Sequence, residues 1–354
     1  MKFLILITLF ISTLLSNDKL EKISLQLQWL DQFQFAGYYI AKEKGFYKDV
    51  GLDVEIKKYS IGDNVTQKVL NNESQYGTGR TSLLIDISNG KKIYLMSAIL
   101  QSSPLVLISL KSSGINTIKD FKNKTAMLTG SESSAGIFGM ISSRGISTND
   151  MKIIKSAHKL QNLINKKVDI ISAYTSNQIY SLNQKKIPIN IFHPKDYGFN
   201  FYSDILFTNQ EEYQNHSQRV HNFNNASLKG WEYAFNHIEE SVELLLKKYN
   251  SQNKTREDLL FEAQELKKLA YFKTKKIGKI SKEKMNSIYD IYRIMRFIKN
   301  PIDFDESIID DSHNKLTLTQ KEKQYISTQK ELNVCVKSDL FPLDGFKNNS
   351  HTGI

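Results

Sequence analysis

A single cysteine in 354 residues, Cys335, excludes an internal disulfide and any cysteine-based metal cluster. Its neighbours Val334 and Val336 place it in a β-rich run, where a small apolar strand residue fits. Histidine is scarce and scattered: His158, His193, His216, His221, His237, His313 and His351. His216 and His221 lack the i, i+4 spacing of a helical metal pair, so no metal site is expected. No Ser/His/Asp grouping is brought together by the sequence, and no catalytic set is assigned. Past the N-terminus no apolar run is long enough to span a bilayer. The net charge is +11, but lysine and asparagine are spread along the chain, as in residues 162–167. No basic run carries the interleaved aromatics that nucleic-acid binders use, so the charge reads as a solvated lysine surface.

What is present begins with an export signature. Lys2 supplies a positive start, and residues 3–15 are an almost unbroken apolar run, too short for a comfortable span but suited to a secretory segment. Ser16 is a small residue suited to a cut, whereas Leu14 fits the −3 position poorly. Residues 1–16 are therefore expected to be a signal peptide, with an uncleaved anchor as the alternative. An exported chain places the function in the periplasm.

Strands and helices then alternate. Ile23, Leu25, Leu27 and Trp29 are apolar at every second position, the period of a half-buried strand. Residues 38–44 read as a helix stopped by Gly45. Further strands are expected at 52–56, 75–78, 93–98 and 105–110, with helices at 64–70 and 80–88. A second block opens near Gly114, with a helix at 118–121 and strands at 125–128, 168–172, 189–192 and 205–208. Such repetition implies an α/β fold with mainly parallel strands. Leu228, Trp231, Phe235, Ile238, Val242, Leu245 and Tyr249 form one amphipathic helical stripe, with Trp231 in the core, and another helix covers 282–297. After Pro301 the composition changes. Residues 316–354 hold a strand at 332–336 and then stop, too little to bury a core, so they read as the truncated start of another domain.

Several stretches carry a family resemblance: Leu27-Gln-Trp29, Gly37-Tyr-Tyr, Ala41-Lys-Glu-Lys-Gly-Phe-Tyr47, Gly51-Leu-Asp53, Tyr76-Gly-Thr-Gly-Arg80, Tyr174-Thr-Ser-Asn177, Tyr197-Gly-Phe-Asn-Phe-Tyr-Ser-Asp204 and Gly230-Trp-Glu-Tyr-Ala234. Residues from about 22 to 300 thereby resemble the thiamine-pyrimidine-synthase-like branch of the periplasmic solute-binding proteins, which also include sulfonate and taurine binders. The resemblance implies a two-lobed periplasmic-binding-protein-like (type II) fold with two crossover hinge strands. Lobe one would comprise 22–108 and 206–300 and lobe two 109–205, with a linker at 301–315. The tail from about 315 is similar to the opening of a family 3 solute-binding domain. That tandem looks like the sensory region of a membrane-bound histidine kinase or cyclic-dinucleotide cyclase. The partners implied are a small-molecule ligand and either that signalling module or the permease of an ABC importer.

Four loops would meet in the cleft. The first holds amides and aromatics that suit a flat polar ligand: Gln28, Trp29, Gln32 and Phe35, with Tyr38 behind them. The second, Gly79, Arg80 and Thr81, is a strand-to-helix turn able to take a carboxylate or phosphate. The third offers Ser131 and Ser133, and the fourth Tyr174 and Asn177. Tyr197 and Tyr202 would line the opposite wall, and Asp204 would hold the hinge or bind a ligand amine. The eukaryotic relatives that make the thiamine pyrimidine carry a Schiff-base lysine and a histidine four residues later, at positions that match Gly79 and Leu83 here. Their cysteine-rich iron motif would fall at 198–206, where this chain has no cysteine. Phe35 stands where thiamine-precursor binders usually have histidine. The expectation is a binding domain with no cofactor, and a synthase is disfavoured because an aldimine needs an amine.

Overall fold

The two-residue period near the start of the chain forms β1 (Glu21–Gln26), whose Ile23 and Leu25, with Leu27 just beyond it, are buried in the core. The computed structural model describes residues 20–128, 130, 134–155 and 160–309, and the backbone pairing of Phe346–Lys347 with Ser350–His351. The expected signal peptide, Ser131, Ser133 and the tail strand at 332–336 lie outside the described residues.

β1 pairs in parallel with β2 (Leu52–Lys57) and β3 (Tyr76–Gly79). The chain then runs through β4 (Ile93–Leu100) and crosses at 101–104 into β5 (Leu105–Leu110) of a second sheet. That sheet adds β6 (Thr125–Leu128), β7 (Lys152–Lys155), β8 (Ile170–Tyr174) and β9 (Ile189–Phe192). The return crossing, 193–202, leads into β10 (Ser203–Asn209) of the first sheet. The orders are β2-β1-β3-β10-β4 and β7-β6-β8-β5-β9, one pattern used twice. The fold is α/β and two-lobed, of the periplasmic-binding-protein type.

Three details differ from the sequence expectation. The sheets are mixed, with two parallel and two antiparallel pairings each, because β5 and β10 arrive from the other lobe and insert in reverse. β5 lies wholly in the second sheet and β10 wholly in the first, so 105–108 fall on the second lobe and 203–205 on the first. The segment expected to open a linker at 301 packs back onto lobe one. Phe304 and Ile308 are buried there, and Ile309 N–H donates to Leu95 O at 2.8 Å.

The amphipathic stripe forms two helices, Ser217–Asn236 and Ile238–Lys248, broken where His237 leaves helical geometry (φ −128°, ψ 57°). Trp231, Phe235, Val242 and Leu245 are buried. Helix Ser217–Asn236 meets helix Ala36–Glu43 with almost no room between the backbones. A Cβ built at Gly230 would lie 2.2 Å from Gly37 O, and one at Gly37 would lie 2.2 Å from the Trp231 ring. This contact anchors the helix that follows the first cleft loop.

Both crossings are tied to the start of helix Lys282–Ile294. Lys284 Nζ donates to Gln101 O of the first crossing and sits 4.0 Å from the Tyr202 ring of the second. Ser281 N–H donates to Tyr202 Oη at 2.9 Å. Burial pulls the Lys284 ammonium down to about 8.

Candidate functional site

Loops at the carboxyl ends of the first-lobe strands face the second lobe, the place where open α/β sheets bind ligands. After β1 the chain leaves the sheet, and Gln28 N–H donates to Thr78 Oγ1 of β3 at 2.9 Å, which fixes the start of the loop. Trp29, half-buried, stacks on Tyr59 with ring centroids 5.6 Å apart and planes 30° apart. Tyr59 follows β2, so two neighbouring parallel strands each deliver one aromatic ring to the same wall. The second lobe supplies Leu105, Ser172, Ala173, Tyr174, Asn177 and Gln178. Between them lies a cavity of about 210 Å³.

Behind the first-lobe wall runs a chain of amides. Gln252 Nε2 donates to Gln32 Oε1 at 3.4 Å, and Gln32 Nε2 to Gln34 Oε1 at 2.6 Å. Gln34 Nε2 donates to Asp204 Oδ1 at 2.6 Å, and Gln28 Nε2 donates to the same oxygen at 2.6 Å. Asp204 is buried at the start of β10, with φ +51° in the left-handed region that Asp and Asn tolerate best after glycine. Burial pushes its carboxyl up to about 6, against the opposing pull of the Gln34 amide, the Arg80 charge and the Gln28 amide. Arg80 reaches across the lobes, its Nε donating to Tyr174 Oη at 3.1 Å. A second inter-lobe contact is the ring pair Tyr180–Phe261, with centroids 4.7 Å apart.

Glu262 closes the network from helix Arg256–Ala270. Its Oε1 accepts from Gln34 N–H at 3.1 Å. Burial pushes this carboxyl up to about 7, and Lys254 Nζ at 3.9 Å offsets only part of that cost. The native state thus holds a proton that the unfolded chain has released between about pH 4.5 and 7, so stability falls as pH rises through that window. Glu262→Gln keeps the oxygen that Gln34 N–H needs and removes the titration. Thermal melts from pH 5 to 8 are expected to show a shallower loss of stability in the variant, with a difference of about 3 kcal/mol accumulated at pH 8. An unchanged slope would reassign the titration to other groups.

The structure brings Gln28, Trp29, Gln32, Arg80, Tyr174 and Asn177 to one cavity. Thr81 and Tyr202 line a smaller adjoining space of about 30 Å³ that shares Arg80, Leu105 and Tyr174. Thr81 Oγ1 is bonded to Tyr292 Oη at 3.1 Å. Phe35 and Tyr38 do not face the cleft. Both are fully buried in the lobe-one core, where Tyr38 meets Trp231 edge-on, because the chain turns helical right after Gln32 and rotates them inward. Gly79 ends β3 against Leu83 and Phe207 and does not line the cavity. Tyr197 packs on the second-lobe core beneath Arg144, with the guanidinium 5.0 Å from its ring. Asp204 stands behind the wall and holds the two glutamines. Gln34, Tyr59, Leu105, Ser172, Ala173 and Gln178 are cavity residues that sequence reasoning did not select. Two of them had a readable signal: Gln34 lies within the amide-rich loop from Gln28 to Phe35, and Tyr59 stands at the carboxyl end of a strand parallel to β1.

The sequence profile of the "NMT1/THI5 like" family matches residues 32–241, more than half of the chain. The chain belongs to the NMT1/THI5-like family. Among curated relatives, the riboflavin-binding protein RibY of Chloroflexus aurantiacus is 21% identical over 238 residues, covering 65% of this chain and 67% of that protein. The formylaminopyrimidine-binding protein of Halalkalibacterium halodurans is 21% identical over 260 residues, covering 71% and 79%. Among solved structures, the periplasmic aliphatic sulphonate-binding protein SsuA of Escherichia coli shares the fold with a TM-score of 0.65 at 12% identity, over 81% of this chain and 97% of that one. The NMT1/THI5-like match spans both crossings and every loop of the cavity from Gln32 to Gln178. No described helix is long and apolar enough to cross a membrane.

Proposed function

We propose that this NMT1/THI5-like chain is an exported solute-binding protein that closes its two lobes on a small, flat, polar ligand of heteroaromatic type. The observation that carries the reading is the composition of the cavity. A Trp29–Tyr59 aromatic wall on one lobe faces Tyr174, Asn177 and Gln178 on the other, and Arg80 spans the gap. A planar ring stacked on Trp29 gains apolar contact, while edge groups meet the amides. Hinge closure around such a ligand buries it from both sides. The named relatives bind a flavin and an aminopyrimidine, both planar heterocycles, which supports the same class here. In the full biological setting the binding event would be passed to an importer's permease or to a signalling module in the same polypeptide.

A synthase reading lacks its amine. No lysine lines the cavity among the described residues, Gly79 occupies the position that would match by the resemblance, and Cys335 is the chain's one cysteine. Incubation with pyridoxal phosphate is expected to give no aldimine absorbance; its appearance would overturn the binding-only reading.

The direct test is a thermal-shift panel of pyrimidines, flavins and alkyl sulfonates. A ligand present at 100 times its Kd adds about 2.7 kcal/mol by mass action. A rise of about 5 °C with at least one heterocycle is expected for a chain of this size. Stabilisation by alkyl sulfonates alone would overturn the heteroaromatic assignment.

A further inference from the structure

We infer that Asp204 is a positioning residue that sets the hydrogen-bond polarity of the cleft, so that the ligand turns a donor edge to Gln28 and an acceptor or anionic edge to Arg80 and Tyr174. This rests on the binding reading above and specifies its ligand.

An ionised Asp only accepts hydrogen bonds, whereas a glutamine amide has one accepting and one donating end. Asp204 Oδ1 receives Gln28 Nε2 and Gln34 Nε2, each at 2.6 Å. Neither amide can flip without turning its oxygen toward a buried anion. The constraint passes outward. Gln34 Oε1 is fixed as the acceptor of Gln32 Nε2, and Gln32 Oε1 as the acceptor of Gln252 Nε2. Gln28 alone ends in the cavity with an uncommitted oxygen. Its Oε1 has no partner among the described residues, and the residue lines the cleft. Leaving such an acceptor unpaired against a bound ligand is costly, so the matching ligand edge carries an N–H.

The opposite side has the reverse polarity. Tyr174 Oη already accepts from Arg80 Nε, which leaves its own proton to donate. Gln178 Oε1 accepts from Tyr174 N–H at 2.8 Å, so its Nε2 is the end left for the cavity. Among the described residues the Arg80 Nη atoms take no hydrogen-bond partner and no carboxylate forms an ion pair with the guanidinium. Asp204 behind the wall offers the guanidinium a through-space charge but no hydrogen bond, so a negatively polarised ligand edge would engage the open Nη donors. Donors thus converge from Arg80, Tyr174 and Gln178, an acceptor waits at Gln28, and the Asn177 amide can turn either end to the ligand. The ligand class is a planar ring with an amino group at one end and a carbonyl, carboxylate or phosphate at the other.

Two probes isolate the claim: 2-aminopyrimidine-5-carboxylate and 2-methoxypyrimidine-5-carboxylate, titrated calorimetrically at pH 7.5. They differ in the donor and share ring and anion. The wild-type chain is expected to bind the amino probe at least tenfold more tightly. Asp204→Asn tolerates the same left-handed backbone and offers both a donor and an acceptor, so it frees the amides to flip. Its preference is expected to shrink to about threefold or less, with both probes still bound. Gln28→Met, which removes the acceptor and leaves Asp204 in place, is expected to lose the preference as well. A purely structural Asp204 would weaken both probes equally and leave their ratio unchanged, which would overturn the inference. Equal binding of the two probes by the wild type would also sink it while the binding reading stands. Binding of neither probe at 10 mM would instead remove the flat-ring reading itself.

Discussion

Trp29→Ala is expected to weaken binding of a flat heterocyclic ligand about 100-fold and to abolish its thermal stabilisation, whereas Trp29→Phe stays within about tenfold of wild type. The difference follows from surface. Indole provides the largest apolar face of any side chain, and Trp29 presents it from a half-buried position beside Tyr59. Losing the stacking contact and opening the wall to water together remove about 2.7 kcal/mol, the equivalent of two decades in Kd. Phenylalanine keeps a face for the ring and a partner for Tyr59. The free alanine variant should fold normally, since Trp29 only borders the lobe-one core. A ligand that stabilises wild type and Trp29→Ala to the same extent would show that the aromatic wall is not where it binds.

Gly230→Ala is expected to be the most damaging single-methyl change, lowering stability by about 3 kcal/mol or more. The added Cβ would meet Gly37 O at 2.2 Å and Ala41 Cβ at 2.7 Å. The first is backbone, so no rotamer change relieves it, and helices Ala36–Glu43 and Ser217–Asn236 would have to part. Their contact also seats Trp231, buried to 1% exposure, so separation would unpack the lobe-one core. At about 2–3 °C per kcal/mol for a chain of this size, the melting temperature should fall by 6 °C or more. Gly90→Ala serves as a comparison, since nothing lies within 4 Å of its Cβ position and only its φ of +85° is strained. A smaller loss at Gly230 than at Gly90 would contradict the close approach.

The regular elements were legible because their signals are local. Alternation over Ile23, Leu25 and Leu27 and the run 105–110 need no tertiary information, and β5, β6 and β9 fall within their expected spans. The stripe from Leu228 to Tyr249 marked its buried residues well but not the break at His237, because two helices in register keep one apolar face. Reversed insertion of β5 and β10 was not legible, since strand direction depends on which sheet a strand joins. In the cleft, the loop Gln28–Trp29–Gln32 announced itself by composition. Phe35 and Tyr38 looked like its continuation, yet a few residues of helical turn carry them to the other side of the wall. Gln178 owes its place to inter-lobe geometry, and the bonds that tie Asp204, itself a selected residue, to Gln28 and Gln34 span 170 residues or more, neither of which spacing in the chain encodes.

The chain has two tryptophans, and the structure gives them opposite surroundings. Trp231 is sealed among Tyr38, Phe235 and Gly37, while Trp29 borders the cleft beside Tyr59. Their emission should therefore separate into a constant blue component and a component sensitive to cleft occupancy. Trp29→Phe would leave only the constant signal and Trp231→Phe only the responsive one. The protein comes with an internal reference dye and an occupancy dye, so lobe closure can be followed on the stopped-flow timescale without a label.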